Sequence, residues 1–536
     1  MLWNMRSLVL VAGLCGIPLI ALAASSDWPS YNRTLTSERF SSLDAINSKN
    51  VRGLEILCSY DVGEQTGFQS GLVEVDGALF ATTEHDTFSI DPNTCRQNWR
   101  MHEDFKGGQL QVNRGVAWLD GRVYRGTADG RVLGYDAKTG ARLWATTIAD
   151  PAKGESVPAS PIAWEGMVFI GNAGGDNKGV KGRMYALDAK DGHILWEFYM
   201  VPRGEGDFAR GPNAPGTPRE LGESWKGSHD VPVTGGATWT SYSLDPVSGL
   251  LYVPGGNPAP DFVSAPRPGD NLFTDSIVVL NAKTGAYERH FQLVKRDFHD
   301  WDASTAPVLF TSKGGRELIA EAPKDGHLHV IDLSERRELF SRPVTRVLNV
   351  DAPIDVSGTR FCPGSQGGAE WNGPAWIPQN NLLVTAEVDW CSTVRAASAE
   401  SIASSPLSAP WSGSPDGFGK QDDIKDWGGY LTATDADTGE RKWQVRTPFP
   451  LTSGVAPTAG GLVFVGDMGG NFYAFDSARG RKLWSSDLGG AVAGGVITYD
   501  TGNGQKVAVA AGMTSPIWPT PKVSAKIVVL GLRPRR

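Results

Sequence analysis

DAKTGARLW, residues 136–144, places an aspartate before a Thr-Gly turn and a tryptophan eight residues after that aspartate. The same spacing recurs in four other segments, Asp91 to Trp99, Asp188 to Trp196, Asp435 to Trp443 and Asp476 to Trp484. Weaker copies begin at Asn281 and Asp332. A pattern that recurs along a chain indicates a repetitive architecture in which each unit stacks against the next.

Each copy of the repeat has the chemistry of a β-hairpin. Thr-Gly or its equivalent suits a tight turn, the aspartate can accept hydrogen bonds from nearby backbone amides, and the tryptophan can pack between neighbouring sheets. Short β-rich runs such as VFV, residues 463–465, alternate with turns, and the chain contains 65 glycines and 34 prolines. We therefore predict an all-β fold, an eight-bladed β-propeller with tryptophan-docking motifs.

Seven copies are visible, so the eighth blade must come from elsewhere. Residues 54–62 and the last strands, which run to Leu532, are the predicted components of that blade. Such closure joins the two ends of the chain and removes exposed sheet edges. The segment 395–426 is rich in Ser, Pro and Gly and is predicted to form a loop over one face. Blade counts of seven or another number stay open at this point.

The N-terminus has the order of features that is typical of a secretory signal peptide. Arg6 precedes an apolar run over 8–22, and small residues follow that run. We predict a signal peptide over 1–23 and a single propeller domain over 24–536, in the periplasm. A retained membrane anchor is the alternative, but the apolar run is shorter than the ~20 residues that a spanning helix needs.

Charge and cysteine content limit the partners of the chain. A formal net charge of -8 gives no overall attraction for polyanions, so no nucleic-acid partner is expected. Four cysteines lie outside the signal peptide, and proximity favours disulfides between Cys58 and Cys95 and between Cys362 and Cys391, with free thiols as the alternative. No Cys-x-x-Cys-His motif is present to attach a c-type haem, so any electrons removed must pass to a separate acceptor.

Several further motifs are spread over nearly all of the chain after the signal peptide. They are DWPSY (27–31), VNRG (112–115), WTSYSLD (239–245), GGN (255–257), RPGDN (267–271), HDWD (299–302), APKDG (322–326) and TAGGLVF (458–464). In order and spacing these motifs resemble the signatures of the PQQ-dependent alcohol dehydrogenases, the quinoprotein family of methanol, ethanol and polyvinyl alcohol dehydrogenases. The resemblance implies pyrroloquinoline quinone (PQQ) and calcium as cofactors.

PQQ is a flat, tri-anionic quinone, so its site needs an aromatic platform and cations. The resemblance gives Trp239 the role of the stacking tryptophan, Arg114 that of the carboxylate-binding arginine, and Lys324 that of the cation near the quinone oxygens. Gln69 stands where several relatives have a cofactor-contacting glutamate, and its amide can still form hydrogen bonds. Without the motif around it, Trp239 would be interpreted as blade core.

Calcium prefers carboxylate and amide oxygens as ligands. The resemblance implies that Asn257, Asp176 and Asp302 supply them, although Asp176 stands where a glutamate is usual and is one methylene shorter. Gly174 and Gly175, in the same segment as Asp176, are assigned to cofactor binding. A glycine-rich turn that the aspartate merely caps is the alternative for this segment.

Asp302 also matches the family's catalytic aspartate. Its implied role is that of a general base, which takes the hydroxyl proton of the alcohol as a hydride passes to the quinone. Ser304 stands where lanthanide-using relatives carry a further aspartate, which favours calcium. His299 and Asp300 are expected to orient this loop.

Two departures from the family pattern affect the cofactor pocket. The adjacent cysteine pair of many relatives is missing, and Gly108 and Gln109 lie near its place. Leu451 to Gly454 stands where a tryptophan often precedes the glycine. These changes affect how tightly the cofactor is expected to bind and which alcohol, small or polymeric, is expected to fit. They affect the predicted reaction class less. The family's usual electron acceptor is a soluble cytochrome c.

Two other functions compete with a dehydrogenase. A non-catalytic propeller that binds partners or serves as a scaffold could keep the architecture and lose the cofactor. Such a scaffold has no physical need for the cations, aromatic platform and carboxylates that these separate motifs supply. A hydrolase that uses Asp302 and His299 ranks lower, because no activated Ser or Cys nucleophile accompanies them in a recognisable motif.

Overall fold

The structure, a computed structural model, describes residues 27–106, 112–227 and 231–533. The predicted signal peptide over 1–23, and Gly108 and Gln109, lie outside the described residues. Within these ranges β-strands dominate, and the two α-helices are short, α1 (Arg219–Glu223) and α2 (Ala399–Ser404). No helix among the described residues combines the length and the apolar character that crossing a bilayer requires.

The strands of the first half are short and connected mainly by tight turns. In chain order they are β1 (Leu54–Asp61), β2 (Val73–Val75), β3 (Ala78–Thr82), β4 (Asp86–Ile90), β5 (Gln97–His102), β6 (Ala117–Leu119), β7 (Arg122–Gly126), β8 (Arg131–Asp136), β9 (Arg142–Thr147), β10 (Ile162–Trp164), β11 (Met167–Gly171), β12 (Arg183–Asp188), β13 (Ile194–Tyr199), β14 (Ser243–Asp245), β15 (Leu250–Pro254), β16 (Ser276–Asn281) and β17 (Tyr287–Gln292).

The second half continues the same pattern and has one long interruption. Its strands are β18 (Val308–Thr311), β19 (Glu317–Glu321), β20 (His327–Asp332), β21 (Arg337–Pro343), β22 (Thr359–Phe361), β23 (Ala375–Ile377), β24 (Leu382–Asp389), β25 (Ser392–Val394), β26 (Lys420–Gln421), β27 (Gly428–Asp435), β28 (Arg441–Thr447), β29 (Ala456–Thr458), β30 (Leu462–Gly466), β31 (Asn471–Asp476), β32 (Lys482–Asp487), β33 (Val492–Tyr499), β34 (Lys506–Ala511) and β35 (Lys526–Leu532).

These strands pair into antiparallel sheets of four. Six sheets use four consecutive strands each, β2–β5, β6–β9, β10–β13, β14–β17, β18–β21 and β29–β32. A seventh has the order β23-β24-β27-β28, and β25 and β26 form a separate small sheet with β22. The first strands of neighbouring sheets contact one another: β6 contacts β10, β14 contacts β18, and β23 contacts β29. Sheets that follow one another in this way form an all-β propeller.

The remaining sheet joins the two ends of the described chain. Its order is β1-β35-β34-β33, with Leu54 opposite Leu532 and Asp61 opposite Lys526. Strand β1, near the start of the chain, therefore completes a sheet whose other three strands lie at its end. The sequence predicts this pairing of the two ends. The sheet shares a continuous buried core with its two neighbours, β2–β5 and β29–β32.

The five strong repeats form the hairpins that the sequence predicts. At the end of β8, Asp136 Oδ1 accepts hydrogen bonds from the backbone amides of Lys138 at 3.1 Å and Thr139 at 2.8 Å. Trp144, on β9, donates its ring N–H to the carbonyl of Ala189, in the turn of the next sheet, at 3.2 Å. Three other tryptophans do the same, Trp99 to Ala137 at 3.0 Å, Trp196 to Ala282 at 2.9 Å and Trp443 to Ser477 at 3.1 Å.

The turn glycine of the repeat has a second purpose that the sequence alone does not show. Gly140 has a φ of 75°, which favours glycine, and a Cβ there would lie 2.7 Å from the Trp99 ring of the preceding sheet. At Gly480 a Cβ would lie 2.6 Å from the Trp443 ring. The glycine therefore makes the turn and also leaves room for the tryptophan of the preceding sheet.

Both predicted disulfides are confirmed. Cys58, on β1, bonds to Cys95, in the turn between β4 and β5, with Cα atoms 5.9 Å apart. Cys362 follows β22 and bonds to Cys391, between β24 and β25, with Cα atoms 4.5 Å apart. The predicted loop over 395–426 lies between β25 and β27, which belong to different sheets, and it is not featureless, because it contains α2 and β26.

Candidate active site

A cavity of about 540 Å³ opens among the loops of the propeller. Its lining includes all nine residues that the sequence analysis assigns to cofactor, metal or catalysis. They are Gln69, Arg114, Gly174, Gly175, Asp176, Trp239, Asn257, Asp302 and Lys324. The fold therefore brings residues from seven separate segments to one place.

The strand order explains why these segments meet. Arg114, Trp239 and Asp302 precede the first strands of their sheets, β6, β14 and β18. Asp176 and Lys324 follow second strands, β11 and β19. In an antiparallel sheet the start of the first strand and the end of the second lie at the same edge. Each sheet therefore directs these loops to one common face.

Asp302 is held from several directions. Its Oδ1 accepts hydrogen bonds from the ring N–H of Trp239 and the backbone amide of Asn257, each at 3.1 Å. Its Oδ2 lies 2.8 Å from the Lys324 ammonium. A Cβ at Gly256 would lie 2.6 Å from Asp302 Oδ1, so only glycine at position 256 permits this approach. The carboxylate is thus fixed at the cavity wall in one orientation.

Trp239 and two cations form one side of the cavity. The Arg114 guanidinium carbon lies 4.6 Å from the centre of the Trp239 ring, and Lys324 Nζ lies 5.9 Å from it. Arg114 also donates to the Trp239 carbonyl at 3.2 Å. Burial lowers the pKa of Arg114 to about 10, which leaves the guanidinium charged at neutral pH.

Lys324 is a buried cation between two carboxylates. Its Nζ lies 3.1 Å from Asp300 Oδ2 as well as 2.8 Å from Asp302 Oδ2. Burial alone lowers the pKa of the Lys324 ammonium, but the charges of Asp300 and Asp302 outweigh it and raise the pKa well above its ordinary value. Lys324 therefore stays protonated across the physiological range.

Three further carboxylates crowd together beside Asp302. One carboxylate oxygen from each of Asp176, Asp261 and Asp300 lies within 4.8 Å of the other two. Asn257 donates its side-chain amide to Asp261 Oδ1 at 3.1 Å. Burial raises the pKa of Asp176 to about 6, and the nearby charge of Asp302 adds to this. Hard cations bind at such clusters of oxygen atoms.

This cluster differs from the metal-ligand set that the sequence predicts. Asp176 is common to both sets, and Asn257 is tied to the cluster through Asp261. Asp302 lies beside the cluster, but its two oxygens already contact Trp239, Asn257 and Lys324. Asp300, expected only to orient its loop, takes part in the cluster directly. The His299 ring stacks on Trp301 with centroids 4.0 Å apart.

Sequence reasoning missed Asp261 and Glu370. Glu370 lines the cavity next to Trp371, and burial raises its pKa to about 7. A signal was present, since the segment GGAEWNG, residues 367–373, places an acidic residue between glycines and a tryptophan just before a strand. Gly368 has a φ of 73° and lies against the backbone of Lys324, so the segment closes over that residue.

Several polar atoms around the cavity are buried without a hydrogen-bond partner among the described residues. They are Gln69 Oε1, Arg114 Nε, Asp261 Oδ2 and Glu370 Oε1. Buried polar atoms normally have partners, so this concentration indicates that a polar ligand completes the site. An aromatic face, two cations and clustered carboxylates suit a flat, anionic aromatic cofactor together with a hard cation. The residues present therefore fit PQQ and a metal ion.

Comparison with known proteins agrees with this geometry. A family model described as the β-propeller domain of glucose, ethanol and alcohol dehydrogenases matches residues 28–347. The quinohemoprotein alcohol dehydrogenase ADH-IIG of Pseudomonas putida is 31% identical over 524 residues, which cover 91% of this chain and 72% of that protein. The chain belongs to the PQQ-dependent alcohol dehydrogenase family. The predicted family and enzyme class are thereby confirmed.

Other members of this family show the same likeness. A lanthanide-dependent methanol dehydrogenase of Methylacidiphilum fumariolicum is 28% identical over 511 residues, covering 88% of this chain and 82% of that enzyme. The solved structure of a europium-containing methanol dehydrogenase superposes with a TM-score of 0.82 at 25% identity, covering 94% of this chain and 98% of that one. The all-β propeller of the PQQ dehydrogenases therefore extends over almost the whole chain.

Proposed function

We propose that this protein is a periplasmic alcohol dehydrogenase that uses PQQ and calcium and passes electrons to a separate acceptor such as a cytochrome c. One observation carries the proposal. Asp302, the expected base, faces a cavity that also contains an aromatic platform, two buried cations and clustered carboxylates. The substrate is an alcohol, small or polymeric, whose hydroxyl carbon reaches this cavity.

The assignment of binding roles follows from the chemistry of each side chain. Trp239 offers the flat face for PQQ, Arg114 and Lys324 offer charge to its carboxylates and quinone oxygens, and Gln69 offers an unpaired amide oxygen. Gly174 and Gly175 carry no side chain, so the backbone at these positions can approach the cofactor closely. Calcium is assigned to Asp176, Asn257 and Asp302. When bound, PQQ supplies the two-electron acceptor, and the metal polarises its reactive carbonyl.

The chain's own residues handle the proton. Asp302 accepts the hydroxyl proton of the alcohol on a carboxylate oxygen. Trp239 and Asn257 hold that carboxylate in place through their two N–H donors, so little reorientation is needed. Lys324 compensates the negative charge of Asp302 inside the buried cavity. Trp371 and Trp518, which also line the cavity, exclude water from it.

The same proposal includes the architecture. Each four-stranded sheet is one blade of an eight-bladed propeller, and the repeat tryptophans dock each blade onto the next. Residues 24–536 form this single domain, and residues 1–23 are a signal peptide for export. The hydrogen bonds from four repeat tryptophans to the following sheets support this assignment.

The test is reconstitution of the purified chain with PQQ and calcium, followed by dye reduction over a panel of alcohols. We expect stoichiometric PQQ binding, and we expect Asp302→Asn to bind PQQ but to lose turnover by about 10²–10⁴-fold, the usual contribution of a general base. Asp351→Asn, an exposed aspartate, is the control and keeps wild-type turnover.

Failure of PQQ to bind would favour the scaffold propeller. Binding with full turnover in Asp302→Asn would instead remove Asp302 from the mechanism and leave the family assignment intact. Ester hydrolysis that is independent of PQQ and lost in Asp302→Asn would point to the hydrolase.

A further inference from the structure

Glu370 is an acidic residue that lines a cavity proposed to receive an anion. We propose that binding of PQQ is coupled to the uptake of one proton by the Glu370 carboxylate, so that the protein binds the cofactor more tightly below neutral pH than above it. The inference rests on the proposed function, because PQQ is the cofactor of the same site. It goes further by assigning to Glu370 a proton that enters with the cofactor.

The backbone on both sides of Glu370 is fixed. The carbonyl of Ala369 accepts a hydrogen bond from the Ser304 hydroxyl at 2.6 Å. On the other side, Trp371 donates its ring N–H to the carbonyl of Ala493 at 2.7 Å. With its neighbours held in this way, the Glu370 side chain stays in the cavity wall, where only 5% of the residue is exposed.

The carboxyl group of Glu370 has too few hydrogen-bond donors to be comfortable as an anion. Its Oε1 is buried and meets no partner among the described residues. Burial without donors disfavours the ionised form of a carboxyl group. Burial accordingly raises the pKa of Glu370 to about 7, although the charge of Lys324 opposes this rise. A carboxyl group with this pKa is about half ionised at pH 7, so a small change in its surroundings decides its charge.

Three charged residues from other loops act on Glu370. Lys324 and Arg114 favour the ionised carboxylate, whereas Asp302 disfavours it. The Lys324 ammonium is already shared between Asp300 and Asp302, at 3.1 and 2.8 Å. Arg114 forms no salt bridge within the part of the chain that the structure describes, so its charge is available to a carboxylate of the cofactor.

The other charged groups near this segment act less on Glu370, because they have other partners or lie in solvent. Tyr31 and Arg39 both bond to the Asn372 side-chain oxygen, at 3.1 Å each. Burial raises the pKa of Tyr31, so its hydroxyl stays neutral near pH 7. Lys522 lines the cavity but is exposed, so solvent and salt screen its charge.

Entry of PQQ changes the charge around Glu370. The cofactor brings three carboxylates, while Arg114 offers one positive charge and Lys324 is largely compensated by Asp300 and Asp302. Additional negative charge nearby raises the pKa of a carboxyl group. The Glu370 carboxylate therefore takes a proton from the buffer as the cofactor enters. The resulting neutral carboxyl group can donate its O–H to a cofactor oxygen, which an ionised carboxylate cannot do.

The direction of the pH dependence follows from this proton. Well below pH 7, Glu370 is already protonated before PQQ binds, so binding takes up no proton there and this group leaves the affinity unchanged. Above pH 7, each binding event must also protonate Glu370. The affinity for PQQ then falls as pH rises, by up to about tenfold per pH unit, until the higher pKa of the complex is reached.

The test is calorimetric titration of PQQ into the full-length chain, produced without PQQ and saturated with calcium so that the metal-site carboxylates hold metal at every pH. Two buffers with different heats of ionisation give the number of protons taken up. We expect about 0.9 protons per PQQ at pH 8 and about 0.1 at pH 6, with an affinity about tenfold lower at pH 8. In Glu370→Gln, which stays neutral and keeps an N–H donor, the uptake and this loss of affinity should both disappear.

Glu74→Gln is the matched control. Glu74, on β2, is also a fully buried glutamate whose pKa is raised by burial, to about 8, but it does not line the cavity. This variant should therefore take up protons with PQQ as the wild type does. Circular dichroism checks the fold of both variants. If Glu370→Gln does not fold, infrared difference spectra of the wild type at pH 8 decide, since PQQ binding should then add the band of a protonated carboxyl group.

PQQ binding without proton uptake at pH 8, or equal uptake in folded Glu370→Gln and the wild type, would overturn the inference. Stoichiometric PQQ binding and alcohol oxidation in the same preparation would leave the proposed dehydrogenase intact. Absence of PQQ binding at every pH would instead remove both proposals. Binding heat and cofactor absorbance distinguish that result from binding that occurs without a proton.

Discussion

At the scale of single residues, Gly256 determines how closely Asp302 can approach its partners. We predict that Gly256→Ala lowers turnover about 100-fold, the loss expected when a reacting group is misplaced by about 1 Å. The reason is steric, because the new Cβ would lie 2.6 Å from Asp302 Oδ1 and 3.0 Å from the Ala237 carbonyl. Steady-state kinetics with the reconstituted enzyme measures the effect, and thermal unfolding shows whether the fold is retained.

Gly206→Ala is the matched control for this prediction. A Cβ at Gly206 meets no atom within 4 Å, so turnover and stability should stay at wild-type values. If Gly256→Ala keeps full turnover while remaining folded, the position of Asp302 is less critical than its hydrogen bonds to Trp239 and Asn257 imply.

The residues of the site were predictable to the extent that each stands in a motif. Asp302 stands in HDWD and Lys324 in APKDG, so the resemblance alone assigned both, and the structure brings them to 2.8 Å. Asp261 and Glu370 stand in no such motif. Their importance comes from burial beside residues that are far away in the chain. Asp261, for example, lies close to Asp176. A sequence does not show which charged residues will share a buried volume.

At the scale of structural elements, the insert over 395–426 is attached to the loop that carries Asp176, one of the proposed metal ligands. The backbone amide of Trp411 donates to the Asp176 carbonyl at 2.7 Å. Two residues further on, buried Lys178 donates to the carbonyls of Ile402 at 3.2 Å and of Ala403 and Ser405 at 2.8 Å each. The Lys178 ammonium thus satisfies the carbonyl end of α2 and secures the insert beside Asp176.

We predict that Lys178→Met loosens the insert and weakens metal binding. Methionine keeps an apolar stem but removes a charged donor from three carbonyls, of which that of Ile402 is buried, a loss of about 1–3 kcal/mol. Limited proteolysis should cut the insert faster in the variant, and calcium titration should show reduced affinity, because Asp176 lies in the same turn. Lys178→Arg should restore part of both properties.

Lys153→Met, at an exposed lysine between β9 and β10, should change neither property. Equal proteolysis rates in Lys178→Met and the wild type would mean that other contacts hold the insert.

The hairpins were predictable and the insert was not, for a physical reason. Each hairpin carries its own turn chemistry, since Asp136 and its equivalents bond to the amides that follow them. Helix α2 has six residues, too few to show a helical period in the sequence. Its local signals are Glu400 in the first turn and Ser398, whose side chain accepts a hydrogen bond from the Ser401 amide as an N-cap. Contacts with Lys178 and Trp411, distant in the chain, then decide its conformation.

At the scale of the whole molecule, closure of the ring depends on a sheet whose strands come from both ends of the chain. Strand β1 pairs with β35 along its whole length, so opening this pair would expose two edges at once. The repeat predicted this arrangement, because seven hairpin units leave the first and last strands unpartnered. The register of the pair, with Leu54 opposite Leu532, could not be predicted, since no turn connects the two strands.

The disulfide Cys58–Cys95 links this closing sheet to its neighbour. Cys58 lies on β1, and Cys95 lies in a turn of the β2–β5 sheet, 37 residues away. We predict that Cys58→Ser/Cys95→Ser lowers the free energy of unfolding by about 3–4 kcal/mol, the chain-entropy value for a loop of this length. Denaturant unfolding under oxidising conditions measures the change.

The second disulfide serves as a comparison. It shows whether the effect of removing Cys58–Cys95 comes from the sheet that joins the two ends of the chain. Cys362–Cys391 closes a similar loop, with a sequence separation of 29, but it does not involve the closing sheet. Chain entropy alone predicts nearly equal losses for Cys362→Ser/Cys391→Ser and for Cys58→Ser/Cys95→Ser. If the first disulfide also secures closure, its removal should additionally speed hydrogen exchange in β1 and β35, because that pair can then open locally. Equal exchange in both double variants would mean that the β1–β35 pairing and the shared core hold the ring closed without the covalent link.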